Sequence, residues 1–530
     1  MAENKYGERV IKIVFPFSLD DLEKIRSLPG RIFHGEEKCW SAPVDISSIK
    51  SLLSWGFTID NHLQTFMDKI NGKIIEIRND MKIPGLKGMP YPFQREGIAH
   101  FEVREGRALN GDDMGLGKSL QALGFIQLHR DKTPVIIVCP TSLKLNWERE
   151  CYKWLPNPST EILSGGKNWK PTAGIIILNY DIVSDWVDTL RKLKPKIVIL
   201  DEGHYIKNNK AIRTKAVKIL CKGVDHVMIL TGTPIESRPA ELYNAINLID
   251  SGLFPNRWHF LQKYCNPKYN GFGWNFNGST NSEELHRILV DTIMIRRKKS
   301  DVLKDLPDKT RTVVPIELIN KDEYYSAEDD FISYLKRTKG IAAAEKASNA
   351  EAFASIEGLK QLAVKGKLSH SIDWIKDFLE LEEKLVVFAT HKFAIEALIS
   401  EFSAIAVKVD GSVSSPLRQQ AVDKFQNDPK VRLFIGNIQA AGIGITLTAS
   451  SNVAFLEYPW NPSQLDQAED RVHRIGQKDA VNIYYLLSMN TIEERIVNLL
   501  DSKRKVIDAI LDGVETDQSS LLGELLKEYV

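Results

Sequence analysis

Two series of short, wholly apolar, β-branched runs dominate this chain, and segments of helical periodicity separate each run from the next. The first series is Val135–Cys139, Ile175–Leu178, Ile197–Leu200 and Val227–Leu230. The second is Leu385–Ala389, Ala406–Val409, Val431–Ile435, Val453–Leu456 and Val481–Leu487. A strand that is apolar at every position has no face to offer water, so it belongs in a parallel sheet covered by helices on both sides. The chain therefore predicts an α/β fold of two parallel-sheet lobes. At 530 residues it is past the size at which a single core keeps growing.

Residues 1–70 predict a small α+β domain. Val10–Phe15 is strand-like, and Ser18 caps a helix through Leu28 with Asp21 three residues on. Arg31–His34 and Lys38–Ala42 fit a hairpin, and Ile46–Trp55 has helical spacing. A linker is expected over 71–90, running into the Gly, Lys and Pro-rich stretch Lys82–Pro92. The first lobe is expected over 91–255, a mostly helical insertion and connection over 256–370, the second lobe over 371–512, and a tail over 513–530. Thr491–Lys505, with Ile492, Ile496 and Leu499 on one face, reads as a helix bracing the lobes.

No apolar run approaches the roughly 20 residues that span a bilayer, and the first ten residues, MAENKYGERV, lack the apolar stretch of a signal peptide. An intracellular, soluble protein with no membrane partner is expected. Cys39, Cys139, Cys151, Cys221 and Cys265 are scattered without a C-x-x-C pair, which points to neither a disulfide framework nor a zinc site. The net charge of +1 means that any surface for a polyanion must be a local stripe of Lys and Arg.

Gly111–Leu120 reads GDDMGLGKSL at the start of a helix. Glycines at 115 and 117 let backbone N–H groups wrap a polyphosphate and the helix N-terminus adds its positive end. Lys118 reaches the terminal phosphates, and Ser119 can ligate magnesium. The simple G-x-x-x-x-G-K-[ST] pattern would place Gly where Asp112 stands, and a glycine turn that merely starts a helix is the alternative for this segment alone. Ile197–Leu200 ends in Asp201 and Glu202, where such a fold needs one acid to hold magnesium through water and a second to orient or deprotonate the attacking water. In QAEDRVHRIGQ (Gln467–Gln477), Arg471 and Arg474 stand at i and i+3, on one helical face, where both reach a γ-phosphate across a lobe interface. Read alone, such a pair is by default a salt-bridged surface helix.

With DMGLGKS, DEGH, LTGTPIESRPAEL and QAEDRVHRIGQ in this order, the chain resembles the Swi/Snf family of helicase superfamily two, over about Tyr91–Lys505. In that family Asp112 is the usual residue of the phosphate loop, Gly203 stands where Ala is commoner, and Gln94 matches the glutamine that recognises adenine. The resemblance implies RecA-like lobes with ATP between them. Gln94, Asp112, Met114, Gly115, Leu116, Gly117, Lys118 and Ser119 would form the nucleotide cradle, with Mg2+ on Ser119 and, through water, on Asp201. Tyr264–His286, Met294–Lys309, Lys384–Leu398 and Ala440–Ser450 look like the annealing-helicase branch, whose members carry a small HARP domain; Val10–Phe57 is similar to one.

That resemblance implies a monomeric, DNA-dependent ATPase that tracks on double-stranded DNA and remodels or anneals branched DNA. A motor indifferent to sequence must grip phosphates. By motif position the candidates are Thr141, Ser142, Lys207, Ser412, Thr446 and Thr448, for each of whose hydroxyls a turn or cap role is an equal alternative. Thr231, Gly232 and Thr233 resemble the segment that couples hydrolysis to lobe movement. Arg296, Arg297, Lys298 and Lys299 form a basic run, expected as a solvated face or a track along the duplex. Phe272, Trp274 and Phe276 fit packing against a lobe, or stacking on an exposed base at a junction. Two other functions fit the same engine or its remnant: displacement of DNA-bound proteins such as nucleosomes or a polymerase, and an inactive DNA-binding scaffold.

Overall fold

The structure, a computed structural model, describes residues 2–3, 9–28, 31–44, 46–61, 63–64, 67, 81–165, 169–232, 239–269, 274–276, 278–338, 345–380, 384–441 and 444–500. The expected tail over 513–530 and the end of the Thr491–Lys505 helix lie outside them. The chain divides into two compact units, one built on Met1–Asp113 and Gly117–Arg297, the other on Met114–Leu116 and Lys298–Val506. Among the described residues no helix is long and apolar enough to cross a membrane.

The first unit opens with a small antiparallel sheet of β1 (Ala2–Glu3), β2 (Arg9–Ile13), β3 (Ile32–His34) and β4 (Cys39–Pro43), in the order β1-β2-β4-β3. Ser18 caps the helix Leu19–Ser27 by accepting the Asp21 N–H at 3.3 Å. Ile11, Ile13, Ile25, Leu28, Ile49 and Leu52 close a core beneath the sheet, and Trp40 packs half-buried on it beside Phe33.

The larger sheet of this unit comprises β5 (Ala108–Asn110), β6 (Val135–Cys139), β7 (Thr160–Ile162), β8 (Ile175–Asn179), β9 (Ile197–Asp201) and β10 (His226–Leu230). After the short hairpin β11 (Lys268–Tyr269) and β12 (Trp274–Asn275), β13 (Met294–Ile295) completes it, in the order β13-β5-β10-β9-β6-β8-β7. Every pairing in it is parallel. Each residue of β6, β8, β9 and β10 is buried, as their Val and Ile content requires.

The second unit holds β14 (Lys309–Pro315), β15 (Leu385–Ala389), β16 (Ala406–Val409), β17 (Leu433–Asn437), β18 (Asn452–Phe455) and β19 (Val481–Leu487), all parallel, in the order β14-β19-β18-β15-β17-β16. Residues 492–500 are helical, and Ile492, Ile496 and Leu499 join the core of this unit.

The mostly helical middle, 256–370, also carries four strands, β11 to β14, two of which join the large sheets. Met294–Ile295 pairs with β5 in the first sheet, and Lys309–Pro315 pairs with β19 in the second. The second escaped the sequence reading because KTRTVVP lacks an apolar run. As an edge strand with a single hydrogen-bonded neighbour, it keeps most of its side chains in water. β17 also begins two residues later than the apolar run suggests, because the Val431 N–H turns back to the Asp428 carbonyl.

A fully buried ion pair sits within the second unit. The Lys367 ammonium donates to Glu493 Oε2 and to the Leu486 carbonyl, each at 2.7 Å, and Glu493 also accepts the Ser488 N–H. Burial pulls the Lys367 amine down and pushes the Glu493 carboxyl up, each resisted by the partner's charge. Lys367→Ala is expected to destabilise the protein by roughly 3–5 kcal/mol in urea unfolding, because it strands a buried carboxylate. The apolar pair Lys367→Met with Glu493→Leu is expected to recover most of that loss.

Candidate nucleotide site

In a parallel α/β sheet the loops that follow the strands all emerge at one edge, where ligands bind. In the first unit that edge carries the loop after β5, the single turn Thr141–Leu143 after β6, the Asp201–Glu202 corner ending β9, and Thr231 after β10. Gly117 caps the helix Lys118–Leu128 at φ +77°, and a Cβ there would displace the Gln94 amide, so a side chain would strain the backbone and disturb Gln94. Gly115 also has positive φ, +84°. Met114 and Leu116 are buried, and Ser119 is half-buried in the first turn of the helix. Gln94 is buried and accepts the Tyr91 N–H at 3.0 Å through Oε1.

Lys118 Nζ donates to the carbonyls of Asp112 at 2.7 Å and Asp113 at 3.2 Å, which folds the loop around the ammonium. Burial pulls this amine down, and the carboxylates of Glu202, Asp112 and Asp201 resist. Asp201 is held from three sides: Trp147 Nε1 donates to Oδ2 at 2.7 Å, the Glu202 N–H to Oδ1 at 3.0 Å, and Tyr180 Oη to its carbonyl at 2.8 Å. Burial, and then the neighbouring Glu202 charge, push the Asp201 carboxyl up to about 7. Glu202 takes a left-handed backbone, φ +51° and ψ 58°, which a non-glycine residue adopts at some energetic cost and which recurs where chemistry fixes a side chain. Its Oε2 lies 3.4 Å from His204 Nδ1. Gly203 fits here where alanine would not: a Cβ would meet Ile229 Cγ2 at 2.3 Å.

Asp112 has no exposed surface, and its carboxylate is gripped by the Arg297 fork, Nε to Oδ1 at 3.0 Å and Nη2 to Oδ2 at 2.5 Å, with Gln121 Nε2 at 3.1 Å. Asn110 extends the network, donating to Gln121 Oε1 at 2.7 Å and accepting the Asp112 N–H at 3.0 Å. The carboxylate therefore shapes the loop from behind rather than facing a polyphosphate. Arg296 Nη1 donates to the Gly111 carbonyl at 2.9 Å. This corrects the expected solvated basic run: Arg296, Arg297 and Lys299 are buried or nearly so, and Lys298 alone of the four is exposed. An acid where the simple loop pattern wants glycine was the one sequence signal for such a partner. The pair spans 185 residues, beyond any local periodicity.

In the second unit the helix Pro462–Glu469 ends before Arg471 and Arg474, so the two arginines stand in a turn and not on one helical face. Glu469, fully buried, accepts from Lys309 Nζ at 2.7 Å, Arg311 Nη2 at 2.7 Å and Tyr485 Oη at 3.0 Å. Lys299 Nζ meets Asp470 at 2.7 Å and donates to the His473 carbonyl at 2.8 Å, while the Leu447 N–H claims the Arg471 carbonyl. These tertiary bonds outcompete another helical turn. Burial works against the Asp470 charge, but Lys299 and Lys309 outweigh it and hold the carboxyl below its ordinary range. Arg471 is buried with Nε on the Gln467 carbonyl at 3.0 Å, and Arg474 Nη1 rests on the Ile445 carbonyl at 3.2 Å.

Of the phosphate-grip candidates, Thr141 is exposed and Ser142 half-buried. Lys207 Nζ lies 4.0 Å from Glu241. Ser412 donates its hydroxyl to Asp410 Oδ1 at 2.5 Å, which commits its only proton inside the loop and leaves no O–H for a phosphate. Thr448 accepts from Gln426 Nε2 at 3.2 Å, and Thr446 is half-buried. Thr231 is buried, its N–H on the Asn110 carbonyl; Thr233 and Phe272 lie outside the described residues.

Two family models match the chain, the SNF2-related domain over residues 93–365 and the helicase conserved C-terminal domain over 370–476. Among curated relatives, the SWI/SNF-related matrix-associated actin-dependent regulator of chromatin subfamily A-like protein 1 of Xenopus laevis is 36% identical over 436 residues, covering 80% of this chain and 44% of its own length. The Caenorhabditis elegans homolog is 33% identical over 525 residues, 95% of this chain and 75% of its own length. The human DNA annealing helicase and endonuclease ZRANB3 is 34% identical over 480 residues, 86% of this chain and 42% of its own length. The chain thus spans less than half the length of the frog and human relatives.

Arg297→Ala is expected to destabilise the first unit by roughly 3–5 kcal/mol in equilibrium unfolding, because it leaves the Asp112 carboxylate buried without its cation. Arg297→Lys should restore only part of this, since an ammonium cannot reproduce the paired N–H contacts.

Proposed function

Because this chain belongs to the SNF2-related family, we propose that it is a DNA-dependent ATPase that translocates on double-stranded DNA and remodels or anneals branched DNA. The observation that carries the reading is the gathering of the phosphate loop with Lys118, and of Asp201 and Glu202, on the carboxyl edge of one parallel sheet. The annealing activity in the human relative's name supports the branched-DNA part.

In this reading the N–H groups of Gly115–Ser119 and the Lys118 ammonium take the β- and γ-phosphates, in place of the carbonyls that Lys118 now holds. Glu202 orients a water, whose oxygen attacks the γ-phosphorus; the bond to the β–γ bridging oxygen breaks, giving ADP and inorganic phosphate, and the proton of the water leaves toward the Glu202 carboxylate. Asp201 and Ser119 offer only hard oxygen donors, and two buried carboxylates that repel each other gain from a divalent cation, so the residues fit Mg2+. Ser119 and, through water, Asp201 would hold Mg2+, which would supply positive charge against the phosphates. Arg471 and Arg474 are assigned the stabilisation of γ-phosphoryl charge, and Gln94 the adenine. Asp112 supports the loop through Arg297. Thr141, Ser142, Lys207, Thr446 and Thr448 are assigned to DNA phosphates.

ATP hydrolysis measured across forked DNA, plain duplex, single strands and RNA tests the whole reading. Forked DNA is expected to stimulate most; equal stimulation by all four removes the fork claim, and no phosphate release with any of them removes the motor. Lys118→Ala is expected to weaken ATP binding, and Glu202→Gln to retain binding while abolishing turnover. Arg474→Ala should slow turnover by about 10³-fold with little change in ATP affinity. A Glu202→Gln protein that turns over normally would show that another group positions the water.

A further inference from the structure

Between Asp250 and Glu283 the chain contains no Asp or Glu, and no residue of this stretch takes part in the nucleotide chemistry above. Arg257, Lys263 and Lys268 lie in it, interleaved with Trp258, Tyr269, Trp274 and Phe276. The fold of the first unit gathers these side chains. The helix Arg257–Tyr264 presents Trp258, and the β11–β12 hairpin sets Tyr269 directly opposite Trp274. Trp258 meets Trp274 edge-on at 5.9 Å between ring centroids and Phe276 at 5.3 Å, while Tyr269 lies 5.5 Å from Trp274.

The cluster is not part of a core. Phe260 and Tyr264, on the same helix, are 2% and 1% exposed, whereas Trp258, Trp274 and Tyr269 stay 41%, 51% and 62% exposed although each touches another ring. Edge-to-face contacts of this kind hold rings at fixed angles and occupy only part of their faces, which the exposures above show to be open. Lys263 is already paired with Glu284 at 2.8 Å, while Arg257, next to Trp258 in the chain and 6.0 Å from the Tyr243 ring, and Lys268, next to Tyr269, are exposed. Open aromatic faces flanked by cations, with no carboxylate in the stretch, match the chemistry of an unpaired nucleic-acid strand: bases stack on rings and phosphates meet cations. A continuous duplex offers its phosphates but hides its base faces.

We infer that Trp258, Tyr269 and Trp274 form a stacking platform for unpaired bases, with Arg257 and Lys268 on the adjoining phosphates. This rests on the reading of DNA as the partner and deepens it: the platform is the element that distinguishes a branch or a single-stranded arm from uninterrupted duplex.

The test is equilibrium binding of the full chain, without ATP, to a fluorescently labelled oligothymidine, a fork with one unpaired arm, and a blunt duplex at a single salt concentration. For Trp258→Ala combined with Trp274→Ala, affinity for the oligothymidine and the fork is expected to fall about tenfold or more, with duplex affinity within about twofold. Trp258→Phe combined with Trp274→Phe, which keeps stackable rings, should restore most of the loss. Equal loss on all three ligands, no loss on any, or a change from dimer to monomer in place of a change in DNA affinity would overturn the inference, the last by assigning the rings to a second copy. The two readings fail separately. A protein that binds unpaired bases through these rings yet hydrolyses no ATP keeps the platform and loses the motor. An active ATPase indifferent to both tryptophans does the reverse.

Discussion

Parallel pairing is the constraint from which the rest of this molecule follows. Strands running the same way need a return segment between each pair, so helices cover both faces and the central strands must be apolar throughout. The same geometry delivers all the post-strand loops to one edge, and helix N-termini with their unpaired N–H groups point to that edge too. Lys118, Asp201 and Glu202, separated by up to 84 residues in sequence, share an edge for this reason and not through any local motif geometry. In the second unit the same rule sets the Ser412 loop after β16 and the segment following β17 on a common edge.

Behind each functional segment lies a charged network built on a fully buried carboxylate. Asp112 and Arg297 brace the phosphate loop; Glu469 with Lys309, Arg311 and Tyr485 braces the turn that holds Arg471 and Arg474. Buried charge pairs seldom add stability over a well-packed apolar substitute, but they tolerate few alternative arrangements. A loop that must present backbone N–H groups within a few tenths of an ångström gains from that restriction. The basic run 296–299 is partitioned between these duties, its first two residues bonded to the loop 111–113 and Lys299 to Asp470 and His473.

What was legible in the sequence was local. Apolar runs located nearly every central strand, Ser18 announced its helix, and the glycines before Lys118 announced a loop of positive φ. The strands that escaped carry little apolar signal or little length, among them Ala108–Asn110, Thr160–Ile162, Met294–Ile295 and the polar edge strand Lys309–Pro315. The partners of buried charges escaped because pairing across the fold leaves no period. Arg297 read as solvated, though its fork closes on Asp112 from 185 residues away. The helical face assigned to Arg471 and Arg474 failed for the related reason that a spacing of three fits a helix or a turn equally, and contacts to Asp470 and the Arg471 carbonyl decide between them.

The strand Lys309–Pro315 has a further effect on the life of the chain in a crowded solution. Among the described residues its outer side has no strand paired with it, so it is the border of the sheet on which another polypeptide could assemble. Proline at the final position withholds one donor, and Arg311, still partly in water, would have to be stripped of its hydration by any incoming chain. Fibrillar growth from this border of the sheet is thus discouraged by the same cations that fasten Glu469.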